Sequence, residues 1–241
     1  MAQAANALAD LHARFVDVRG RIESCAQRCS RASEEIALIA VTKTHSIETL
    51  NAALSIGATD LGENRVQEAE PKIIELGRNA ARWHLIGHLQ ANKARRAVKL
   101  FDVIHSVDSV ELAQRLDRLC VEEGRTELPI LIQVDMAGEE TKSGVRESEL
   151  ANLADAVRSS RHLQFQGLMT MPPFFEEAER ARPFFKRLRE LRDALQSEGY
   201  FGNQRGDLSM GMSHDFEIAI EEGATLLRIG TALFGARPVQ F

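Results

Sequence analysis

The 241-residue sequence has little that would place it in a membrane, outside the cell or on nucleic acid. No segment approaches the ~20 consecutive apolar residues needed to cross a bilayer. No signal peptide is expected at the start of the chain, because Asp10, Glu23 and several arginines interrupt every apolar stretch. The same acidic residues argue against a mitochondrial transit peptide. Positive charge is not in excess. The formal net charge is −5, whereas a protein whose main partner is a phosphate backbone needs a basic face. Cysteine is scarce as well. Three residues, Cys25, Cys29 and Cys120, are an odd number and exclude a complete disulfide framework. None stands at zinc-site spacing, so buried, reduced cysteines and a cytoplasmic location are expected. No linker, low-complexity tract or short repeat divides the chain, and one domain over 1–241 is expected. A glycine-rich dinucleotide turn after the first strand-like run is also missing, which speaks against an open doubly wound sheet.

What is present is core material in a regular order. Hydrophobic residues make up 44% of the chain, and the longest apolar runs, IALIAV and PILIQV, have the length and branching of buried strands. Leu8, Leu11, Phe15, Val18, Ile22, Cys25 and Cys29 recur at spacings of three and four, which predicts one amphipathic helix over the first thirty residues. Strands are then predicted at Ile36–Val41, Thr59–Leu61, Trp83–Ile86, Val103–Ser106, Ile130–Val134, Leu163–Leu168, Asp207–Met210 and Leu226–Ile229. Helices are predicted between them at Ser46–Ile56, Arg65–Leu76, Gln90–Leu100, Ser109–Glu122, Glu147–Ser159, Glu176–Ser197 and Ser213–Glu222. Ser46 and Ser109 stand where N-caps are wanted. Gly57, Gly77, Gly124, Gly199 and Gly223 stand just past helix ends. Eight strands alternating with helices predict a single (β/α)8 barrel of the TIM type. Little chain follows the eighth strand, so the N-terminal helix is expected to complete the outer ring, an arrangement that suits a monomer.

In such barrels the chemistry sits at the C-terminal ends of the strands. The first strand ends in AVTKTH, which puts Lys43 directly after an apolar run. A surface lysine at a strand end is the bland reading. A lysine partly desolvated at a barrel mouth is the functional one, because desolvation disfavours the ammonium, and a free amine is what attacks a carbonyl to form an imine. Lowering its pKa from about 10.4 to about 7.5 corresponds to roughly 4 kcal/mol. The seventh strand leads into LSMGMSHD and the eighth into LLRIGTALFG. Barrels frequently hold phosphate with the loops after these two strands. Ser209, Ser213 and Thr231 offer hydroxyls there, Gly211 and Gly230 allow close backbone approach, and Arg228 adds a permanent cation. An imine-forming lysine beside a phosphate cup restricts the ligand to a phosphorylated aldehyde or ketone. Pyridoxal 5′-phosphate (PLP) fits, and so does a phosphosugar handled by a lysine aldolase. An arginine facing a pyridine nitrogen would hold it unprotonated and weaken the ring as an electron sink.

The segments AVTKTH, LGENRVQEA, WHLIGHLQANK, IHSVDS, GEETKSGV, GLMTMPP, LSMGMSHDFEIAI and RIGTALFGAR stand in this order. Together they resemble the pyridoxal phosphate homeostasis protein family, also called the YggS or PROSC family, from about residue 36 to the end of RIGTALFGAR. The resemblance implies an alanine-racemase-type barrel with PLP held as an internal aldimine, a Schiff base, on Lys43. It implies phosphate contacts from Ser209, Gly230 and Thr231, with Ser213 as a further candidate, Arg228 near the pyridine nitrogen, and Asn64 as another cofactor neighbour. It also implies a carrier or regulator that keeps free PLP low and influences amino- and keto-acid pools, rather than an efficient enzyme. Small amines or amino acids would take PLP from Lys43 by transimination, and PLP-dependent apoenzymes are the expected recipients. The alternative is a PLP-dependent amino-acid racemase or decarboxylase on the same fold. A two-base racemase needs an acid/base group on each face of its substrate. The only tyrosine, Tyr200, lies far along the chain from the predicted strand ends.

Other polar residues carry weaker signals. His84 and His88 lack an evident third metal ligand; one is expected to be packed and the other to line the mouth. His105 ends the fourth strand and could touch the ligand or make a structural hydrogen bond. Met169 and Met171 are expected near the bound ring. Lys93, Arg95, Arg96 and Lys99 read as a solvated helix face. Lys142 follows the fifth strand, within reach of an anion.

Overall fold

The computed structural model describes residues 2–136 and 143–235. Eight parallel strands follow the chain in order: β1 (Ala37–Val41), β2 (Asp60–Glu63), β3 (Arg82–Leu85), β4 (Val103–Val107), β5 (Leu128–Gln133), β6 (Leu163–Met169), β7 (Asp207–Ser209) and β8 (Leu226–Ile229). Each pairs with the next, and β1 pairs with β8, Ile39 lying opposite Arg228, so the sheet closes into a barrel. All eight strands fall where the alternating pattern predicts them, with ends shifted by a residue or two. The largest shifts are in β2, which runs on to Glu63, and β5, which starts at Leu128.

The helices are α1 (Ala2–Arg28), α2 (Ile47–Ser55), α3 (Val66–Leu76), α4 (Ala94–Leu100), α5 (Val110–Glu122), α6 (Glu147–Arg158), α7 (Arg182–Ser197), α8 (Phe216–Glu221) and α9 (Thr231–Phe234). Capping acts as expected where a serine is available. Ser46 accepts from the Thr49 N–H, and Ser109 from that of Leu112. Three helices start later than the sequence pattern suggests. A 3-10 turn, Ala91–Lys93, precedes α4, and another, Ala178–Ala181, precedes α7, which carries a proline in its first turn. Before α8, the carboxylate of Asp215 accepts from the Met212 N–H at 2.6 Å and holds residues 213–215 as a turn.

Helix α1 takes the place expected of it. Phe15, Val18, Ile22 and Cys25 are buried, and the helix packs against α2 on one side and α8 and α9 on the other. Arg21 pairs with Glu217 at 3.1 Å, and just past the helix Arg31 donates to the Ile220 carbonyl at 2.9 Å. Leu8 is left partly exposed, so the buried stripe begins at Leu11. No helix among the described residues is long and apolar enough to cross a membrane.

Side chains alternate across the strands. On β1, Leu38 and Ala40 join the large apolar layer beneath the helices, while Ile39 joins a small cluster inside the barrel with Val103, Leu131, Met169 and Leu226. Asp60, His84, His105, Ser209 and Arg228 lie on the strands that enclose this interior, and the last four are buried. The barrel is therefore apolar outside its strands and largely polar within.

Candidate functional site at the barrel mouth

Lys43 follows β1 by two residues, which keeps it on the inward face shared by Ile39 and Val41. The chain on either side of it is held from outside the barrel. The Thr42 hydroxyl donates to Glu63 Oε1 at 2.7 Å, and the Thr42 carbonyl accepts from Lys72 Nζ at 2.8 Å. Thr44 sits in the left-handed region at φ 66°, a conformation a β-branched residue seldom adopts, and its N–H donates to Glu68. Lys72 Nζ also meets Glu63 at 2.7 Å and Glu68 at 3.2 Å. Burial pushes the Glu63 carboxyl up, against the opposing pull of Lys72. Thr42, Thr44, Glu63 and Glu68 fall within AVTKTH and LGENRVQEA, but sequence reasoning gave these anchors, and Lys72, no role.

Lys43 lines a cavity of about 550 Å³ together with Asn64, Ser213, Arg228, Gly230 and Thr231. Six of the seven expected site residues thus converge. Asn64 is brought in by a glycine that sequence reasoning passed over. A Cβ on Gly87 would stand 2.3 Å from the Asn64 carbonyl oxygen, so only glycine lets the end of β3 pass so close to the Asn64 backbone. The two Gly/Ser/Thr clusters meet at the rim. Ser213 Oγ accepts from the N–H groups of Gly230 at 3.3 Å and Ala232 at 3.0 Å, joining the loop after β7 to the start of α9. Gly211 makes the β7 turn possible at φ 90°, with Ala219 packed where a side chain would be.

Arg228 is only 3% exposed. Its Nη1 donates to Ser209 Oγ at 2.5 Å and its Nη2 to the Thr170 carbonyl at 2.8 Å. Burial pushes its guanidinium down to about 10, with nearby Asp215 opposing the shift, so it remains a cation at neutral pH. Ser209, the seventh expected residue, lies elsewhere. It is fully buried, bonded to Arg228 and to His105, and is not part of the cavity lining.

The remaining candidates separate clearly. His84 and His105 are fully buried inside the barrel and bonded to each other at 2.9 Å. His88 is exposed beside Asp108 at 3.3 Å and does not line the cavity, contrary to the expectation that one of His84 and His88 would. Met171 lines the cavity, while Met169 is buried in the interior cluster. Arg95 pairs with Glu122 and Glu123, Arg96 with Glu70 and Lys99 with Glu123, which makes their helix a salt-bridged surface. The Tyr200 hydroxyl donates to Asp155 at 2.9 Å, and Arg158 lies over its ring, which ties it to α6 on the outside of the barrel. Lys142 lies outside the described residues. Cys25 and Cys120 are buried, with thiols pushed up to about 11 by burial. No cluster of three or more metal-ligating side chains occurs among the described residues.

Residues 19–238 match the family described as alanine racemase, N-terminal domain. The pyridoxal phosphate homeostasis protein of Aquifex aeolicus is 41% identical over 93% of this chain and 97% of its own. The chain belongs to the pyridoxal phosphate homeostasis protein family. Its relative from Escherichia coli K12, of the same name, is 39% identical over 95% of this chain and 97% of the relative. PipY of Synechococcus elongatus PCC7942, solved with PLP bound, superposes with a TM-score of 0.81 at 37% identity and covers 93% of this chain and 100% of PipY. Membership of this homeostasis family agrees with the resemblance read from the sequence motifs.

Proposed function

We propose that this protein binds PLP at the barrel mouth through Lys43 and serves PLP homeostasis as a carrier or regulator. One observation carries the reading: a lysine, a buried arginine and a rim of hydroxyl and backbone N–H groups converge on one cavity. The three features match the aldehyde, the ring and the phosphate of PLP. When bound, PLP supplies an aldehyde that forms an imine with a primary amine. The chain supplies that amine at Lys43. Gly230, Thr231 and Ser213 would hold the phosphate, Asn64 would flank the cofactor, and Arg228 would face the ring. Ser209 acts at one remove, as the acceptor that fixes Arg228.

The same residues support holding over turnover. Arg228 donates hydrogen bonds and keeps its proton, so it does not protonate a ring nitrogen, and the ring remains a weak electron sink. Tyr200, the only tyrosine in the sequence, is committed to Asp155 outside the barrel and offers no opposing base at the cavity. An incoming amine or amino acid would release PLP by exchange at Lys43, and PLP-dependent apoenzymes are the recipients this reading names.

The experiment is visible absorbance of the purified protein with and without PLP, followed by borohydride reduction and peptide mapping. A visible band fixed on Lys43 and lost in Lys43→Ala is expected. Label spread over surface lysines, or no band, would overturn the assignment in favour of a phosphosugar ligand. Deuterium wash-in over a panel of amino acids separates carrier from racemase: robust exchange into one substrate would replace the carrier reading.

A further inference from the structure

Asp60, His84 and His105 are titratable groups beneath the cavity that the function above does not use. They form an unbroken line with Ser209 and Arg228 across five strands. His84 Nε2 is 2.9 Å from Asp60 Oδ1. His84 Nδ1 is 2.9 Å from His105 Nε2, and His105 Nδ1 is 2.9 Å from Ser209 Oγ. Ser209 Oγ then receives Arg228 Nη1 at 2.5 Å.

The two ends dictate the direction of every bond between them. Burial pushes the Asp60 carboxyl up, but hydrogen bonds from His84 and Thr59 more than offset this, and it stays ionised, able only to accept. His84 Nε2 must therefore carry a proton. Burial pushes both imidazoles down, His105 well below its ordinary value with His84 and Arg228 adding to the effect, so both rings are neutral at pH 7. A neutral His84 protonated at Nε2 accepts at Nδ1, so His105 Nε2 is the donor there. His105 then accepts at Nδ1, and the Ser209 hydroxyl donates to it. The Ser209 oxygen is left as acceptor for the guanidinium, which has only donors. Both histidines are thus fixed as Nε2–H tautomers, and each bond polarises the next in one direction.

We propose that Asp60, His84, His105 and Ser209 are positioning residues: a one-way hydrogen-bond chain from the lower barrel to Arg228 that holds its guanidinium at the cavity floor and tunes PLP binding there. The last step rests on the PLP reading; the chain itself does not. The orientation of Arg228 is set by Ser209, and the Ser209 hydroxyl is turned by a histidine pair that Asp60 locks from the far end.

The test has two arms on the full-length protein. Long-range 1H–15N spectra of the PLP-free protein at pH 7, assigned with single histidine replacements, should show both His84 and His105 neutral and protonated at Nε2. A proton on His105 Nδ1, or either ring as imidazolium, overturns the chain. The second arm is a double-mutant cycle read as PLP affinity by absorbance titration. Ser209→Ala should weaken PLP about tenfold, Asp60→Asn about threefold, and the double variant no more than Ser209→Ala alone. Distant sites with no physical link give additive effects. If Asp60→Asn has no effect, or weakens PLP equally in both backgrounds, the tuning role is wrong. If Ser209→Ala does not fold, the spectra of the native sequence decide the chain on their own. Failure of the parent protein to take up PLP overturns the cofactor reading and with it the tuning role, while the tautomers still judge the chain.

Discussion

The strands of this barrel divide two interiors of opposite character. Between strands and helices, Trp83, Phe101, Phe185 and Phe216 are fully buried in one continuous apolar layer. Within the strands, apolar packing shrinks to Ile39, Val103, Leu131, Met169 and Leu226, and polar side chains, Asp60, His84, His105, Ser209 and Arg228 among them, share the space. Barrels ordinarily fill this space with layers of branched apolar side chains. The outer layer needs only volume and hydrophobicity, which many sequences supply. The inner one needs donors matched to acceptors, because an unpaired polar group in such a place is costly. The outer layer therefore sets the fold, and the lumen sets the floor of the site.

The largest expected effects come from the outer layer. Phe185→Ala should cost about 3–5 kcal/mol of stability by leaving a cavity. It should lower the thermal midpoint while leaving PLP binding to the folded fraction unchanged. A loss of PLP affinity beyond the unfolded fraction would show that the two interiors are coupled. Lys72 tests a polar inclusion in this layer that borders the site. Lys72→Met strands the Glu63 carboxylate and should cost about 3 kcal/mol, since breaking a buried pair from one side leaves an uncompensated charge. Adding Glu63→Leu should recover most of that stability, because an apolar pair suits an apolar layer. The Lys43 loop would then lose its outer anchors, so the same double variant should regain its denaturation midpoint but bind PLP less tightly than the parent. Full recovery of both would show that these anchors serve stability alone.

This contrast also explains how far the sequence could be read. The eight strands were legible because strands buried against helices carry branched apolar runs, and helix boundaries carry serines and glycines with local jobs. Lys43, Arg228 and the two Gly/Ser/Thr clusters were legible because a strand followed by such residues at a barrel mouth has few other uses. The hydrogen-bond chain was not. His84 and His105 are 21 residues apart, and their contact depends on the register of β3 against β4, where His84 pairs with Val103. The usable signal was alternation: Val103 and His105 share a face, as do Leu226 and Arg228. Ser209 was expected at the phosphate because its neighbours were right, yet the same period of two turns its side chain into the lumen below Arg228. Gly87 and Glu63 were missed for a related reason, since what each does is decided by the segment it meets.

Acid should find the lumen before the outer layer. Burial lowers the pKa of both His84 and His105, so on unfolding each takes up a proton below its unfolded value of about 6.5. Their stabilising contribution is complete above that pH and is lost as pH falls toward their folded-state values. Each contributes a slope of up to about 1.4 kcal/mol per pH unit. Glu63, Asp207 and Asp215, raised mainly by burial, act in the opposite sense. The informative quantity is therefore the difference between parent and a His105→Asn variant in urea midpoints at pH 7.5 and 5.5. The parent should lose more stability over that interval. Equal losses would mean that His105 takes up its proton in the folded protein as readily as in the unfolded chain.

The smallest expected effect falls at the boundary between the two interiors. A methyl group on Gly87 meets the Asn64 carbonyl oxygen at 2.3 Å and its Cα at 2.8 Å, both backbone atoms that no rotamer can move aside. Gly87→Ala must then push the ends of β2 and β3 apart, at roughly 1–2 kcal/mol if the loops after them give way. Because the displaced residue is Asn64, in the cavity lining, the variant should also weaken PLP while leaving Lys43 as the labelled residue after borohydride. The Phe185→Ala variant should show the reverse, a larger loss of stability with affinity kept. Were Gly87→Ala to bind PLP as the parent does, Asn64 would be a bystander at the rim, and the grip on the cofactor would rest on Lys43, Arg228 and the loops after β7 and β8.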